Sequence, residues 1–265
     1  MKTTFVIDPS HEFSYELSQI KDEFKFILAI KALNKIPHYF WFIPASATGQ
    51  YHPKSSLGIG GLLRHVKSVC SVAIEWFKNP ACEFTEDEQD EILIACILHD
   101  SCKQGFGSEP SHTLHEHPIL VRTSIAPDDL SEDEAECWSR ICDLIDTHMG
   151  IWNEDSKKRS DVILPLPVTP AQKFVHMCDY LASRPMIEID TSNRQAQSGY
   201  RQNDPTKDAW RLDPAGTSQI EYILGLTKKC QDRGISVSHI TISTEITKGE
   251  ASDTITTLKE LLGFK

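Results

Sequence analysis

Apolar residues return at steps of three and four over residues 10–34, where Phe13, Leu17, Ile20, Phe24 and Leu28 share one face. That period predicts an amphipathic helix. A loop rich in Pro, Gly and Ser follows, carrying Phe40-Trp41-Phe42-Ile43-Pro44 and Tyr51-His52-Pro53. Gly60-Gly61 then opens a helix with Leu62, Leu63, Val66, Val69, Ala73, Ile74 and Phe77 on its apolar side. Thr85 and Glu88 stand at capping-box spacing before a helix that runs through an apolar stretch to His99. Ser131 and Glu134 repeat the signal ahead of Trp138, Ile141, Leu144 and Ile145, in a helix reaching His148. Thr169-Pro170 reads as an N-cap followed by proline at the first helical position, ahead of Phe174, Val175, Cys178 and Leu181. From 188 to 216 the chain turns polar and loses any core face, which predicts a mobile loop or lid. A helix over 218–230, a strand over 235–243 and a final helix over 252–262 complete the expectation of a mainly all-α protein. No internal repeat and no low-complexity tract interrupts the pattern.

Composition narrows the function classes. A length of 265 residues suits one large domain, or one domain with an appendage. No apolar stretch approaches the roughly 18 residues that cross a bilayer. The opening Met1-Lys2-Thr3-Thr4-Phe5-Val6-Ile7-Asp8 meets an acid too early for a signal peptide, so a cytoplasmic protein without a membrane partner is expected. Eight cysteines are scattered with no Cys-x-x-Cys pair, several inside apolar helical patterns (Cys70, Cys96, Cys178). Buried reduced thiols fit this better than disulfides or a structural zinc site. A net charge of -11 repels nucleic acid on average. A small anionic substrate held by cations suits that balance better than a long duplex.

Candidate chemistry centres on Glu91-Ile92-Leu93-Ile94-Ala95-Cys96-Ile97-Leu98-His99-Asp100, an apolar helix ending in adjacent imidazole and carboxylate groups. A carboxylate at a helix C-terminus opposes the helix dipole and needs compensation. Each further candidate has a plainer reading when taken alone. His65 suits the edge of a core, His117 in Glu116-His117-Pro118 suits a surface helix start, and His148 before Gly150 suits a helix C-terminus. His115 sits in the same loop as His117, and only the His-Pro context favours His117. Asp179, flanked by Phe174, Cys178 and Leu181, faces a costly burial unless something positive meets it. His176 shares its face, as a partner of a ligand or as a packing residue. His11, His38, His52 and His239 read as structural or exposed. Trp41, Tyr51 and Trp152 suit either base stacking or burial. His65, His99, Asp100, His117, His148 and Asp179 together offer six nitrogen and oxygen ligands on or near separate helices. That mixture favours manganese, iron, nickel or zinc over calcium or magnesium, and one bridging acid makes the set sufficient for two ions.

Gly60-Gly61-Leu62-Leu63-Arg64-His65, Leu98-His99-Asp100-Ser101-Cys102-Lys103, Glu116-His117-Pro118, Thr147-His148-Met149-Gly150 and His176-Met177-Cys178-Asp179 form an H…HD…H…H…D pattern within 60–182. This pattern resembles the HD-domain superfamily of metal-dependent phosphohydrolases. Its flavour is most similar to HD domains fused to exoribonucleases and to phage-type stand-alone HD proteins. The resemblance implies an HD-type helical bundle over 1–186, with 187–265 as a polar loop plus a small mixed C-terminal extension. It implies one or two divalent ions, the first held by His65, His99, Asp100 and Asp179, the second by Asp100, His117 and His148. Lys103, in a His-Asp-x-x-Lys arrangement, would face the substrate phosphate or the developing charge. Arg122, Arg194 and Arg201 are candidates for the same task, although each also reads as solvated surface charge. Two departures matter. Met149 stands where many dinuclear members have a second histidine, and the Gly-Tyr-Pro motif of cyclic-di-GMP phosphodiesterases is absent. The expected activity is hydrolysis of a phosphate ester on a nucleotide or oligonucleotide. A mixed-valent di-iron oxygenase and a non-catalytic nucleotide-binding module are the alternatives on the same scaffold. No feature of the pattern marks a particular oligomeric state.

Overall fold

The first long periodic segment is not one helix. In the computed structural model, which describes residues 7–46, 49, 51–106, 112–191, 215, 217–237 and 246–263, it forms α1 (Pro9–Glu12), α2 (Ser14–Leu17) and α3 (Glu23–Leu33). The break before α3 has a tertiary cause. The buried Asp90 carboxylate accepts the Lys21 and Asp22 backbone N–H groups at 2.9–3.1 Å, and Asp22 in turn caps α3 by accepting from Lys25 N–H at 2.8 Å. Two donors that a continuous helix would use internally are thereby taken by another element. Phe13, Leu17, Ile20 and Leu28 are buried as the period predicts, whereas Phe24 is exposed.

The remaining helices are α4 (Gly61–Phe77), α5 (Glu86–Leu98), α6 (His117–Ser124), α7 (Glu132–Ile145), α8 (Pro170–Ala182), α9 (Thr217–Asp232) and α10 (Lys248–Leu261). α5 is the axle. Every residue from Asp90 to Leu98 is buried, and it packs against α3, α4, α7 and α8. A helix apolar on all sides belongs in a core, and each fully buried Leu or Ile contributes about 1.5–3 kcal/mol. Capping boxes start α5 at Thr85, α7 at Ser131 and α8 at Thr169. The α7 helix ends at Ile145, so His148 lies in the turn beyond it rather than inside the helix.

The start of α4 is shaped by glycine. Gly60 has φ 69°, and a Cβ on Gly61 would collide with the Ser56 carbonyl oxygen. Gly60 N–H donates to Phe42 O and Leu62 N–H to Ile43 O, while Arg64 donates to Ser55 O and Leu57 O. The loop carrying Tyr51-His52-Pro53 is therefore fastened to the first turns of α4.

The chain divides into two compact units, Phe13–Ala196 and Met1–Glu12 with Gln197–Lys265. The second unit contains α9 and α10, which pack on each other and bury Ile220, Ile223, Leu226, Ala251 and Leu258. The strand expected over 235–243 is not formed at residues 235–237, and the rest of it lies outside the described residues. The helix expected from 252 begins earlier, at Lys248, capped by Thr247 with Glu250. Most of the polar 188–216 segment lies outside the described residues. No described helix is long and apolar enough to cross a membrane. The cysteines are free, and all but Cys82 are buried.

Candidate metal centre

Five helices and the turns at their ends deliver side chains to one buried point. His65 comes from the second turn of α4, His99 and Asp100 from the C-terminal end of α5, His117 from the first residue of α6, His148 from the turn after α7, and Asp179 from α8. The four histidines and Asp100 are buried, and the Asp179 side chain is 21% exposed.

The Asp100 carboxylate divides the cluster. Its Oδ2 lies 3.8 Å from His65 Nε2 and 3.6 Å from His99 Nε2. Asp179 Oδ1 lies 3.0 and 3.8 Å from the same two nitrogens. On the other side, Asp100 Oδ1 lies 3.0 Å from His117 Nε2 and 3.9 Å from His148 Nε2. Bonds of about 2.1 Å place neighbouring ligand atoms of one ion roughly 3.0–3.4 Å apart, so both groupings are near the size of a cation shell.

Hydrogen bonding sets the state of three of these rings. His99, His117 and His148 direct Nδ1 at the carbonyl oxygens of Cys96, Leu114 and Ile145, at 2.8, 2.7 and 2.8 Å. A carbonyl can only accept, so Nδ1 carries the proton and each neutral ring presents an Nε2 lone pair. His117 and His148 then point two lone pairs at each other across 3.1 Å. His65 Nδ1, His65 Nε2 and His99 Nε2 are buried without a hydrogen-bond partner. Buried unpaired nitrogens and opposed lone pairs are costly unless a cation lies among them. The residues present therefore fit divalent ions.

Electrostatics holds the groups in ligand form. Burial pushes the Asp100 carboxyl upward, but Lys103, His99 and His117 outweigh it and keep the group well below the usual carboxylate range. Burial likewise opposes ionisation of Asp179, and the close contact with His65 plus the field of His99 overturn that, again to far below the ordinary value. Burial lowers His99. Burial, then His99 and His117, takes His148 to about 3. Neutral imidazoles and charged carboxylates are what a metal requires.

Among the other candidates, Lys103 places Nζ 2.5 Å from Asp100 Oδ2, on the side that faces His65 and His99. Arg122 is tied to Asp143, Asp146 and Ser139, and none of these partners is a ligand residue. Arg194 and Arg201 lie outside the described residues. His115 directs Nε2 to the Asn153 and Val162 carbonyls, each at 3.1 Å, and so pins the 153–162 segment, while His117 joins the cluster. His176 donates from Nδ1 to the His148 carbonyl at 2.7 Å, and its ring fills the space a Cβ on Gly150 would need. Trp41 is buried and Tyr51 exposed; Trp152 is partly exposed and stacks on Tyr180 at 5.9 Å between centroids.

Two residues near the cluster escaped the sequence reading. His52, read there as structural or exposed, lies edge-on to His65 with 4.9 Å between ring centroids. Burial, then the neighbouring His65 and Lys103, lowers it to about 3. Tyr39 Oη accepts the Gln104 N–H at 2.9 Å and fastens the turn that follows Asp100. Burial raises its pKa above the ordinary phenol value, and the Cys102 and Asp100 charges add to the rise. The available signal for His52 was its place in a Pro-flanked loop just ahead of Gly60-Gly61.

Residues 62–184 match the family described as HD domain. This segment is an HD domain. All six clustered ligand-type residues, from His65 to Asp179, fall inside it. HD domains are typically metal-dependent hydrolases that bind divalent ions. No curated protein and no solved structure matches the chain.

Proposed function

We propose that this protein is a two-metal phosphohydrolase that cleaves a phosphate ester of a nucleotide or a short nucleic acid. Asp100 carries the reading. One carboxylate turns each of its oxygens toward a separate group of imidazole nitrogens, His65 and His99 on one side and His117 and His148 on the other. A bridging acid between two nitrogen-rich half-shells is the arrangement a dinuclear hydrolase needs. The donor set contains imidazole and carboxylate but no thiolate, which favours manganese, iron, nickel or zinc.

Bound divalent ions would lower the pKa of a water and polarise the phosphoryl oxygens. The chain's own contributions follow from position. Asp100 and Asp179 supply the negative charge that holds cations in a buried site, and the Nδ1 hydrogen bonds aim the Nε2 lone pairs. Lys103, whose ammonium already lies beside Asp100, is placed to hold a phosphoryl oxygen and to neutralise transferred charge. The net charge of -11 favours a small anion delivered to a cationic centre over a long polyanion.

The test is a panel of phosphate esters incubated with full-length protein whose manganese content has been measured. The panel spans aryl phosphate monoesters and diesters, nucleoside monophosphates, cyclic nucleotides and end-labelled oligonucleotides. Chelator-sensitive release of product that disappears with Asp100→Ala is the expected result. A protein holding stoichiometric ions that cleaves none of them refutes the reading.

A further inference from the structure

Lys103 stands in a turn whose shape is set from outside. Beyond α5 the chain runs on in short turns. Ser101 N–H donates to Leu98 O at 3.0 Å, Lys103 N–H to Asp100 O at 3.1 Å, and Gly105 N–H to Cys102 O at 2.8 Å. The peptide between Lys103 and Gln104 is held differently. Its N–H donates to Tyr39 Oη at 2.9 Å, and its carbonyl accepts the Leu114 N–H at 2.9 Å. Both polar groups of that one peptide are thus taken by residues outside the turn, one ahead of α4 and the other ahead of α6.

Each partner is itself fixed. Tyr39 lies in the 3-10 turn His38–Trp41, and its carbonyl accepts the Phe42 and Ile43 N–H groups. Phe42 O and Ile43 O in turn accept Gly60 N–H and Leu62 N–H, which fastens the segment to the start of α4. Leu114 O accepts the His117 Nδ1 proton at 2.7 Å, and the Leu114 side chain fills the space that a Cβ on Gly105 would need. The Lys103 peptide is therefore stretched between the segment that leads to His65 and the segment that leads to His117.

The Lys103 side chain is a flexible four-carbon stem ending in a point charge. Its ammonium lies 2.5 Å from Asp100 Oδ2, the oxygen that faces His65 and His99. A cation drawn to that oxygen competes with the ammonium, so Asp100 cannot be the sole guide of Lys103. The backbone from which the stem departs must be fixed as well, and a peptide held at both polar ends supplies this.

We propose that Tyr39 is the positioning residue for Lys103: by accepting the Gln104 N–H it fixes the peptide from which the ammonium is aimed at a phosphoryl oxygen. The proposal rests on the reading of Lys103 as a phosphate-holding group. The phenol acts through the backbone and needs no contact with substrate. One hydrogen bond of this kind is worth about two- to tenfold in an equilibrium constant.

The experiment compares full-length wild type, Tyr39→Phe, Lys103→Met and the double variant, each loaded with manganese to a measured content. Phe keeps the ring and removes only the acceptor. Inorganic phosphate is the probe, and its affinity is read by calorimetry, so the result does not depend on turnover. Amide hydrogen exchange at Gln104 is followed by NMR on protein stripped of metal. Tyr39→Phe should speed that exchange and weaken phosphate about two- to tenfold. In the Lys103→Met background the same change should alter phosphate affinity no further, because residues that act through one another are not additive. Wild-type phosphate affinity in Tyr39→Phe overturns the proposal. An equal loss with and without Lys103 also overturns it, since Tyr39 then acts by a route that bypasses the ammonium. If Tyr39→Phe fails to fold, a wild-type Gln104 amide that exchanges as fast as an unstructured peptide overturns it by itself. If manganese-loaded wild type binds no phosphate, or Lys103→Met binds it as well as wild type, the phosphate reading of Lys103 has failed, and the proposal with it. If Lys103→Met weakens phosphate while Tyr39→Phe does not, the Tyr39 proposal alone has failed.

Discussion

The two sides of Asp100 are held by different means. Facing Oδ1, His117 and His148 each anchor Nδ1 on a carbonyl three residues back, and the His148 carbonyl is itself bound by His176. Backbone at two helix ends sets that pair. Facing Oδ2, His65 rises from within a helix with no carbonyl holding its Nδ1 and with Nε2 3.0 Å from Asp179 Oδ1, Asp179 is partly exposed, and Lys103 stands 2.5 Å from the shared carboxylate. Side chains from several elements set that half. Next to a helix end, a carbonyl three residues back lies within reach of the ring and has a lone pair to offer, so the backbone orients the histidine. A ligand within a helix needs help from elsewhere in the fold.

The sharpest way to break this comparison is Asp100→Ala. Both halves depend on that carboxylate, so both ions should be lost and activity abolished, as elemental analysis and product release would show. Loss of only one ion would deny the bridge. His148→Ala and Asp179→Asn then separate the halves: each should cost one ion and spare the other, and a variant that loses both shows that the halves are not independent.

Lys103→Met should act in two directions. Removing the ammonium lowers kcat about a hundred- to thousandfold, as loss of one charge-stabilising donor does. It also frees Asp100 Oδ2, so metal affinity should rise. A fall in both would place Lys103 in the support of the metal shell instead.

Gly150→Ala tests the backbone-held side. Gly150 has φ 57°, and an added Cβ would strike the His176 ring. A cost of about 1–3 kcal/mol in thermal or denaturant unfolding is expected, with weaker binding of the ion at His117 and His148. Unchanged stability would mean that His176 moves aside freely.

Acid sharpens the comparison least but touches both halves. His148 is depressed to about 3 in the folded protein, against about 6.5 unfolded, so the unfolded chain binds more protons between those values. Its contribution to stability is complete above the unfolded value and is lost as pH falls toward about 3. Asp100 and Asp179, held below the ordinary carboxylate value, add a loss that begins near pH 4 and continues as pH falls through their folded values. Urea midpoints of the metal-stripped protein should therefore decline steadily from pH 7 downward, and midpoints flat between pH 7 and 4 contradict it.

The helices α4, α5, α7 and α8 were readable because burial on one face imposes a period, and the last three also because their caps use Thr, Ser, Glu and Gln at fixed spacing. The H…HD…H…H…D order was readable because a metal restricts ligand chemistry to few residue types. The division of α2 from α3 was not, since it depends on Asp90, 68 and 69 residues away in the chain, accepting two backbone N–H groups. His115 and His117 were indistinguishable until their ring nitrogens were seen to face different partners. His52 carried no periodic or spacing signal, and its role as a neighbour of His65 exists only because a loop folds back on α4.

By itself the sequence determined which segments are helical and which side chains have ligand chemistry, because both follow from local sterics, caps and residue type. Tertiary structure alone decided which oxygen of Asp100 faces which histidines, and which ring nitrogens are tied to carbonyls. Those are matters of distance and direction between remote elements, to which a linear order of residues is blind.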